Sequence, residues 1–457
     1  YKQTFPYPSP FISLHKQQSR LFPPPFPPLS HQPFLLPLSL QPCVSPIMAL
    51  TKLTTKLLFV AILGLLAFTQ VGHAQFFNGT VGGDGDGEGG DGGDYGEVAA
   101  GGGRGAPTKE ALVPAMFIFG DSLIDNGNNN NLASLAKANY LPYGIDFNGG
   151  PTGRFSNGYT MVDEIEMTLC VVLEICVHAA EQLGLPLIPP YTEATNGDVT
   201  RGVNYASAAA GILDDTGRNF VGRIPFDQQI GNFRNTLDQL TGKLGAVETA
   251  QGIGRSIFFV GMGSNDYLNN YLMPNYPTRG QYNGQQYADL LVHQYTRQLN
   301  TLYNLGARKF VIAGLGVMGC IPSILAQSPA GLCSEEVNKL VTPFNQNVKA
   351  MINNFNANLP GARFTYIDIA KMFREVLTNS ERYGFSVVNR GCCGIGRNAG
   401  QITCLPFQTP CNERGQYVFW DAFHPTEAVN VLMGRKAFNG DTTYVYPINI
   451  EQLARIG

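Results

Sequence analysis

Two side chains far apart in the sequence could work as a base and a nucleophile. The chain has six histidines: His15, His31, His73, His178, His293 and His424. The first three lie in the N-terminal part, His178 lies in an apolar segment, and His293 lies in an amphipathic stretch that suits a structural role. His424 differs, because Trp420-Asp421-Ala422-Phe423-His424-Pro425 places a carboxylate three residues before it. Within a turn, that spacing lets Asp421 accept the Nδ1 proton. Nε2 is then free to act as general base and later as general acid. A capping Asp beside a surface His would share the spacing. Ser122 is the nucleophile candidate. It follows an apolar run and a glycine in Phe119-Gly120-Asp121-Ser122-Leu123, where a helix start would leave its amide unpaired. Its Oγ could attack a carbonyl carbon while the amide holds the oxyanion. An isolated Gly-Asp-Ser more often serves as an N-cap. Asn265 offers a side-chain NH₂, and Gly211 a backbone N–H from a small-residue turn. Donors gathered around one oxygen form an oxyanion hole, where removing one costs about 10²–10³ in turnover. Asn265 alone would equally suit a turn.

These residues can meet only if the fold brings several turns to one edge. Apolar runs at 115–119, 202–206, 256–260, 309–313 and 363–367 read as strands buried on both faces. Longer amphipathic stretches lie between or after them. Residues 287–305 carry Leu290, Leu291, Tyr295, Leu299 and Leu302, and 335–355 and 426–438 read similarly as helices. Strands alternating with helices predict an α/β fold, a parallel sheet with helices on both faces. Ligands in such sheets sit beyond the carboxyl ends of the strands. The first strand runs into Gly120-Asp121-Ser122, the second into 207–211 and the third into Gly261-Met262-Gly263-Ser264-Asn265-Asp266.

Composition narrows the alternatives. Charged residues make up 14% of the 457 residues and the net charge is −3, so no broad field attracts nucleic acid or anionic membrane. Hydrophobic residues at 44% suit a globular protein. A Gly-x-Ser-x-Gly elbow, a Gly-x-Gly-x-x-Gly fingerprint in a strand–helix context, a Walker loop and a His-Glu-x-x-His pair are all missing from the sequence. No metal and no cofactor are expected.

The N-terminal part divides by composition. Residues 1–47 are rich in Pro and Ser and read as extended or disordered. They are expected to be upstream sequence, outside the mature protein. From Met48 the pattern is secretory: Lys52 and Lys56, an apolar run over 57–68, then Gly72-His73-Ala74 as a cleavage site. Residues 48–74 are therefore expected to be a signal peptide, too short in its apolar run to span a bilayer. Residues 75–107 hold a glycine–acid segment that cannot bury enough surface to fold and reads as a flexible linker. Its acids lack the spacing of a calcium loop. Asn78-Gly79-Thr80 is a glycosylation sequon. The remainder, 108–457, is one folding unit.

The ordered motifs Phe117-Ile118-Phe119-Gly120-Asp121-Ser122-Leu123, Val203-Asn204-Tyr205-Ala206, Gly263-Ser264-Asn265-Asp266 and Asp421-x-x-His424-Pro425 carry a resemblance. So do Asp125-Asn126-Gly127-Asn128-Asn129, Gly153-Arg154-Phe155-Ser156-Asn157-Gly158 and Gly391-Cys392-Cys393-Gly394. Over about 110–445 the chain resembles the plant GDSL esterase/lipase family, part of the SGNH hydrolase superfamily. The resemblance implies a flavodoxin-like three-layer α/β/α sandwich with a mostly parallel sheet, and a secreted serine hydrolase. It implies Ser122 as nucleophile, Asp421 and His424 as its relay, and Ser122, Gly211 and Asn265 as oxyanion donors. Two departures stand out. The family usually has paired glycines after Ala-Ser, whereas this chain reads Ser207-Ala208-Ala209-Ala210-Gly211. That leaves Ala210 as the alternative donor to Gly211. Residues 166–180 also interrupt what family members build as one helix, and they are apolar nearly all round. They read as retained intron sequence or as a membrane-touching lid.

Setting aside Cys43, Cys170 and Cys176 leaves Cys320, Cys333, Cys392, Cys393, Cys404 and Cys411. An even set on late loops of a secreted chain reads as disulfides, with Cys320–Cys333 as the local pair. The expected function is hydrolysis of carboxylic esters, lipid or small-molecule, through an acyl-serine, by a secreted or cell-wall monomer with no membrane span. Two other functions fit the sequence: an acyltransferase in extracellular polymer assembly, and a non-catalytic lipid- or glycan-binding wall protein.

Overall fold

The computed structural model describes residues 111–457 except 168–182 and 195–196. The expected leader, signal peptide, linker and Asn78 sequon lie outside the described residues, as does most of the 166–180 segment. The two flanks of that segment are paired with each other: Leu185 N donates to Glu166 O at 3.0 Å, and Met167 and Leu185 form a parallel bridge.

Among the described residues there are eight strands: β1 Met116–Gly120, β2 Gly202–Asn204, β3 Ile257–Gly261, β4 Lys309–Ala313, β5 Arg363–Ile367, β6 Val387–Gly391, β7 Tyr417–Phe419 and β8 Val445–Tyr446. The five apolar runs become β1 to β5 within a residue or two. The main sheet has the order β2-β1-β3-β4-β5-β8, parallel except for β8, which pairs antiparallel with β5. Strands β6 and β7 form a separate parallel pair. The principal helices are α1 Met161–Glu166, α2 Phe226–Leu244, α3 Ala246–Arg255, α4 Gly284–Asn304, α5 Glu335–Asn358, α6 Ile369–Thr378, α7 Glu427–Asn439 and α8 Ile450–Arg455. Asn283 and Ser334 cap α4 and α5 by accepting from Gln286 N and Val337 N.

Alternation along each strand builds the layers. Phe117, Phe119, Phe258, Val260, Phe310 and Ile312 point to one face, where α2, α3, α4 and α5 cover them. Met116, Ile118, Ile257, Phe259, Val311 and Ile367 point to the other, covered by α1, α6, α7 and α8. This is the expected α/β/α sandwich. Strand order reverses where β1 lies between β2 and β3, and a crevice opens at such a switch point beyond the carboxyl ends. In register, Gly120 of β1 faces Gly261 of β3, so both strands end at that crevice.

Among the described residues three disulfides join Cys320–Cys333, Cys392–Cys411 and Cys393–Cys404. The first is the local pair expected from the sequence. The other two surround Trp420 in a small cluster with Tyr143 and Phe155.

Candidate active site

Ser122 sits where β1 ends. Asp121 O accepts from Ile124 N at 3.2 Å and from Asp125 N at 3.0 Å, which bends the chain sharply after the strand. The expected helix start is absent: the serine opens a turn, and no regular helix follows it. The turn is held instead by Asp121 Oδ1, which accepts from Leu123 N at 3.0 Å. The amide of Ser122 has no hydrogen-bond partner among the described residues. Asp121 is buried, and its Oδ2 also has no partner there. Burial pushes its carboxyl up to about 7, against the pull of the Leu123 amide and of His424.

His424 arrives from the other end of the sequence. Strand β7 delivers Trp420, whose N donates to His424 O at 2.8 Å and closes a tight loop over 421–423. The pair therefore lies in a loop ahead of α7, which begins at Glu427. Beside it, Cys392 N donates to Phe419 O at 3.0 Å and Cys393 N to Trp420 O at 2.7 Å, so the disulfide-bonded strand end braces this loop. His424 Nδ1 is 2.9 Å from both Asp421 oxygens, and its Nε2 is 2.8 Å from Ser122 Oγ. His424 is 7% exposed and Asp421 0%, so the capping Asp beside a surface His does not describe this pair.

Asp421 collects four further donors. Its Oδ1 accepts from Phe423 N and His424 N, both at 2.8 Å. Its Oδ2 accepts from Tyr143 OH at 2.5 Å and Thr403 Oγ1 at 3.3 Å. Burial would raise this carboxyl, but the facing imidazole and these donors outweigh it and hold it below the usual range. Tyr143 and Thr403 are not among the residues that the sequence singles out. Their partner lies about three hundred or about twenty positions away, and no local pattern marks such a contact.

The motifs around the serine clamp the second loop. Asp125 Oδ2 accepts from Ala208 N at 2.9 Å, and Asn129 Nδ2 donates to Ala208 O at 3.1 Å. Asp266 Oδ2 accepts from Ile212 N at 2.8 Å, and Asp266 Oδ1 from Leu213 N at 3.1 Å. Burial pushes both Asp125 and Asp266 up to about 6 despite these amides. Asn265 Nδ2 donates to Ala210 O at 2.9 Å, and Asn265 Oδ1 accepts from Asn269 Nδ2 at 2.6 Å. The amide is thereby oriented with one hydrogen left over. In the 153–158 motif, Arg154 pairs with Asp163 at 2.6 Å, Phe155 packs on the His424 ring at 5.0 Å, and Asn157 Oδ1 accepts from Glu427 N at the start of α7.

Ser122, Asn265 and His424 line one cavity of about 200 Å³. Ala208 and Ala209 line it too, whereas Ala210 and Gly211 do not. A Cβ on Gly211 would meet Thr216 Cγ2 at 2.5 Å and Asp266 Oδ2 at 2.7 Å, so glycine is required there by close packing. The Ala210 amide is engaged with Ser207 O at 3.1 Å. Ala209 has φ +65°, a left-handed conformation that favours glycine, and its N–H has no partner among the described residues. Among the described residues no group of three or more His, Cys, Asp or Glu could hold a metal ion, and no helix is long and apolar enough to cross a membrane.

The sequence profile of the GDSL-like lipase/acylhydrolase family matches residues 116–437. A GDSL esterase/lipase of Arabidopsis thaliana is 67% identical over 350 residues, covering 76% of this chain and 88% of the relative. A second from the same plant is 50% identical over 353 residues, covering 76% and 94%. GDSL esterase/lipase 7 of Arabidopsis thaliana is 46% identical over 355 residues, covering 76% and 93%.

Proposed function

Starting from the fact that the chain belongs to the GDSL-like lipase/acylhydrolase family and is a carboxylic ester hydrolase, we propose that it works through an acyl-serine, with Ser122, His424 and Asp421 as catalytic residues. The observation that carries this reading is the 2.8 Å contact from His424 Nε2 to Ser122 Oγ. His424 takes the hydroxyl proton as Oγ attacks the carbonyl carbon, and Asp421 stabilises the imidazolium that forms. The carbonyl oxygen becomes an oxyanion. It collapses as the C–O bond breaks and His424 returns the proton to the departing alkoxide. Water, deprotonated by the same His, then releases the carboxylic acid and frees Ser122.

The oxyanion donors in this proposal are the Ser122 amide, the spare hydrogen of Asn265 Nδ2 and the Ala209 N–H. Ala209 takes the role first given to Gly211, because it lines the cavity with a free amide, whereas Gly211 packs against Thr216 and Asp266. Secretion belongs to the same proposal. Three disulfides support an oxidising compartment. The secretory pattern at 48–74, the linker at 75–107 and the Asn78 sequon rest on the sequence. Sequencing the N-terminus of the secreted chain should give Gln75. The protein is read as a monomer acting on small-molecule or lipid esters.

Ser122→Ala tests the chemistry. Its hydroxyl hydrogen-bonds only to His424 among the described residues, so the variant should fold normally and lose p-nitrophenyl ester turnover and fluorophosphonate labelling. Asn265→Ala should keep labelling but lower kcat by about 10²–10³. Turnover retained by the serine variant overturns the proposal.

A further inference from the structure

The cavity at Ser122 is lined by two chemically different groups of side chains. One group carries hydrogen-bonding functions, Lys137, Tyr140 and Thr403, and reaches the surface near Leu123 and Leu135, which are exposed. The other belongs to the apolar layer beneath the sheet. Phe259 of β3, Phe373 of α6, Phe419 of β7 and Met433 of α7 line it, and each is buried in the core of that layer. The polar side chain of that second group, Asn430, is committed through Nδ2 to Tyr159 O at 2.9 Å. Protein interiors seldom leave gaps larger than a water molecule, so a cavity that enters a packed core is a built feature.

Small residues keep it open. Gly261 ends β3, and Gly314 and Gly316 follow β4, all three on the cavity wall. A Cβ on Gly316 would stand 3.5 Å from Ile369 Cγ2 and 3.6 Å from Phe373 Cδ2. A Cβ on Gly261 would stand 3.5 Å from Ile124 Cδ1 and from Phe259 Cε1. These are ordinary contacts, so side chains fit there sterically, and anything larger than a methyl would occupy the space itself.

Resting on the acyl-serine reading, we propose that the inner lobe is the acyl site. The unbranched hydrocarbon chain of the ester lies between β3, β4, α6 and α7, and the alcohol lies among Lys137, Tyr140 and Thr403. Two arguments fix the direction. An alkyl chain needs no hydrogen-bond partner, and Phe259, Phe373, Phe419 and Met433 offer it apolar contact, whereas on the outer side Lys137 Nζ, Tyr140 OH and Thr403 Oγ1 keep donor or acceptor capacity for an alcohol beyond their bonds to Asn130 O, Cys404 O and Asp421 Oδ2. The alcohol must also leave first, while the acyl group stays bonded to Ser122. The open side suits the group that departs, and the enclosed side the group that waits for water. Gly316 and Met433 then set the acyl length that the enzyme accepts.

The test compares kcat/KM across p-nitrophenyl esters from acetate to hexadecanoate. Each added methylene that the lobe buries should raise kcat/KM about fourfold, from ~0.8 kcal/mol per CH₂. Gly316→Leu fills the lobe, so the octanoate-to-acetate ratio should fall at least about thirtyfold. Met433→Ala lengthens it and should move the optimum to longer chains. Tyr140→Phe, on the alcohol side, should leave the ratio as in the parent and alter selectivity among alcohols at fixed acyl length. Thermal melts of each variant separate a reshaped lobe from a misfolded chain, and Met433→Ala, which only removes atoms, serves if Gly316→Leu fails to fold. A chain-length profile unmoved by both inner substitutions, or moved by Tyr140→Phe instead, overturns the inference. Loss of acetate turnover and of Ser122 labelling in the parent protein would overturn the acyl-serine reading itself, so the two failures are distinguishable.

Discussion

Replacing Asp421 with asparagine should silence the enzyme while leaving it folded, and the geometry shows why. Asp421 Oδ1 accepts two backbone amides, from Phe423 and His424, both at 2.8 Å. An asparagine must keep its carbonyl oxygen there, because turning its NH₂ toward two N–H donors would leave buried groups unpaired at about 1–3 kcal/mol each. Its NH₂ then occupies the Oδ2 position, facing Tyr143 OH, Thr403 Oγ1 and His424 Nδ1. The two hydroxyls can rotate to accept. Nδ1 can accept only by giving up its proton, which moves to Nε2. In that tautomer Nε2 donates to Ser122 Oγ and cannot take the serine proton. A wrong tautomer of this kind costs about 10⁴ in kcat in the Ser-His-Asp template, equal to ~5.5 kcal/mol of barrier. The assay is kcat/KM on a short p-nitrophenyl ester together with the rate of fluorophosphonate labelling, and circular dichroism follows folding. Both rates should fall in parallel by three to four orders of magnitude, about the scale of that template. A folded Asp421→Asn protein that keeps more than about a tenth of its activity would refute the tautomer argument, since no other group among the described residues holds His424 Nδ1.

The remaining predictions concern the loop and the buried acids. Ala209→Gly should raise stability by about 1 kcal/mol by relieving the left-handed backbone, with activity kept. Gly211→Ala should lower it by about 1–3 kcal/mol as the methyl meets Thr216 and Asp266; equal melts for the two variants would contradict both placements. Stability should rise as pH falls from 8 toward 5. Asp121, at about 7, and Asp125 and Asp266, at about 6, bind protons more tightly folded than unfolded, so their contribution is complete below the usual carboxylate range and fades as pH climbs through 6 to 7. Asp421 and Asp163 are held low and act in the opposite sense, which should bring stability down again below about pH 4. Thermal melts across pH 3–8 check the profile, with Asp121→Asn flattening its upper arm; a flat parent curve between pH 5 and 8 would rule it out.

Much of this was legible locally. The apolar runs that became β1 to β5 needed no distant information, because strands buried on both faces must be apolar at nearly every position. Ser122, Asn265, Asp421 and His424 were legible because each sits at a strand end or in a tight loop with its own short pattern. The roles of neighbouring motifs were not. Asp125 and Asn129 look like turn residues in sequence, yet they clamp Ala208, 83 and 79 positions on.

The sequence by itself determined which chemistry was possible, since of the six histidines only His424 has a carboxylate three residues before it, and it determined the layers, since period-2 alternation within each strand fixes both sheet faces. Only the tertiary structure decided that β1 and β3 are neighbours, so that Ser122 and Asn265 share a crevice. It alone joined Tyr143 and Thr403 to Asp421, and put Ala209 rather than Gly211 on the cavity wall. The physical reason is that periodicity and turn chemistry act over a few residues. Strand order, hydrogen bonds across hundreds of positions and the left-handed strain at one alanine are settled by packing, where many weak contacts choose one arrangement together.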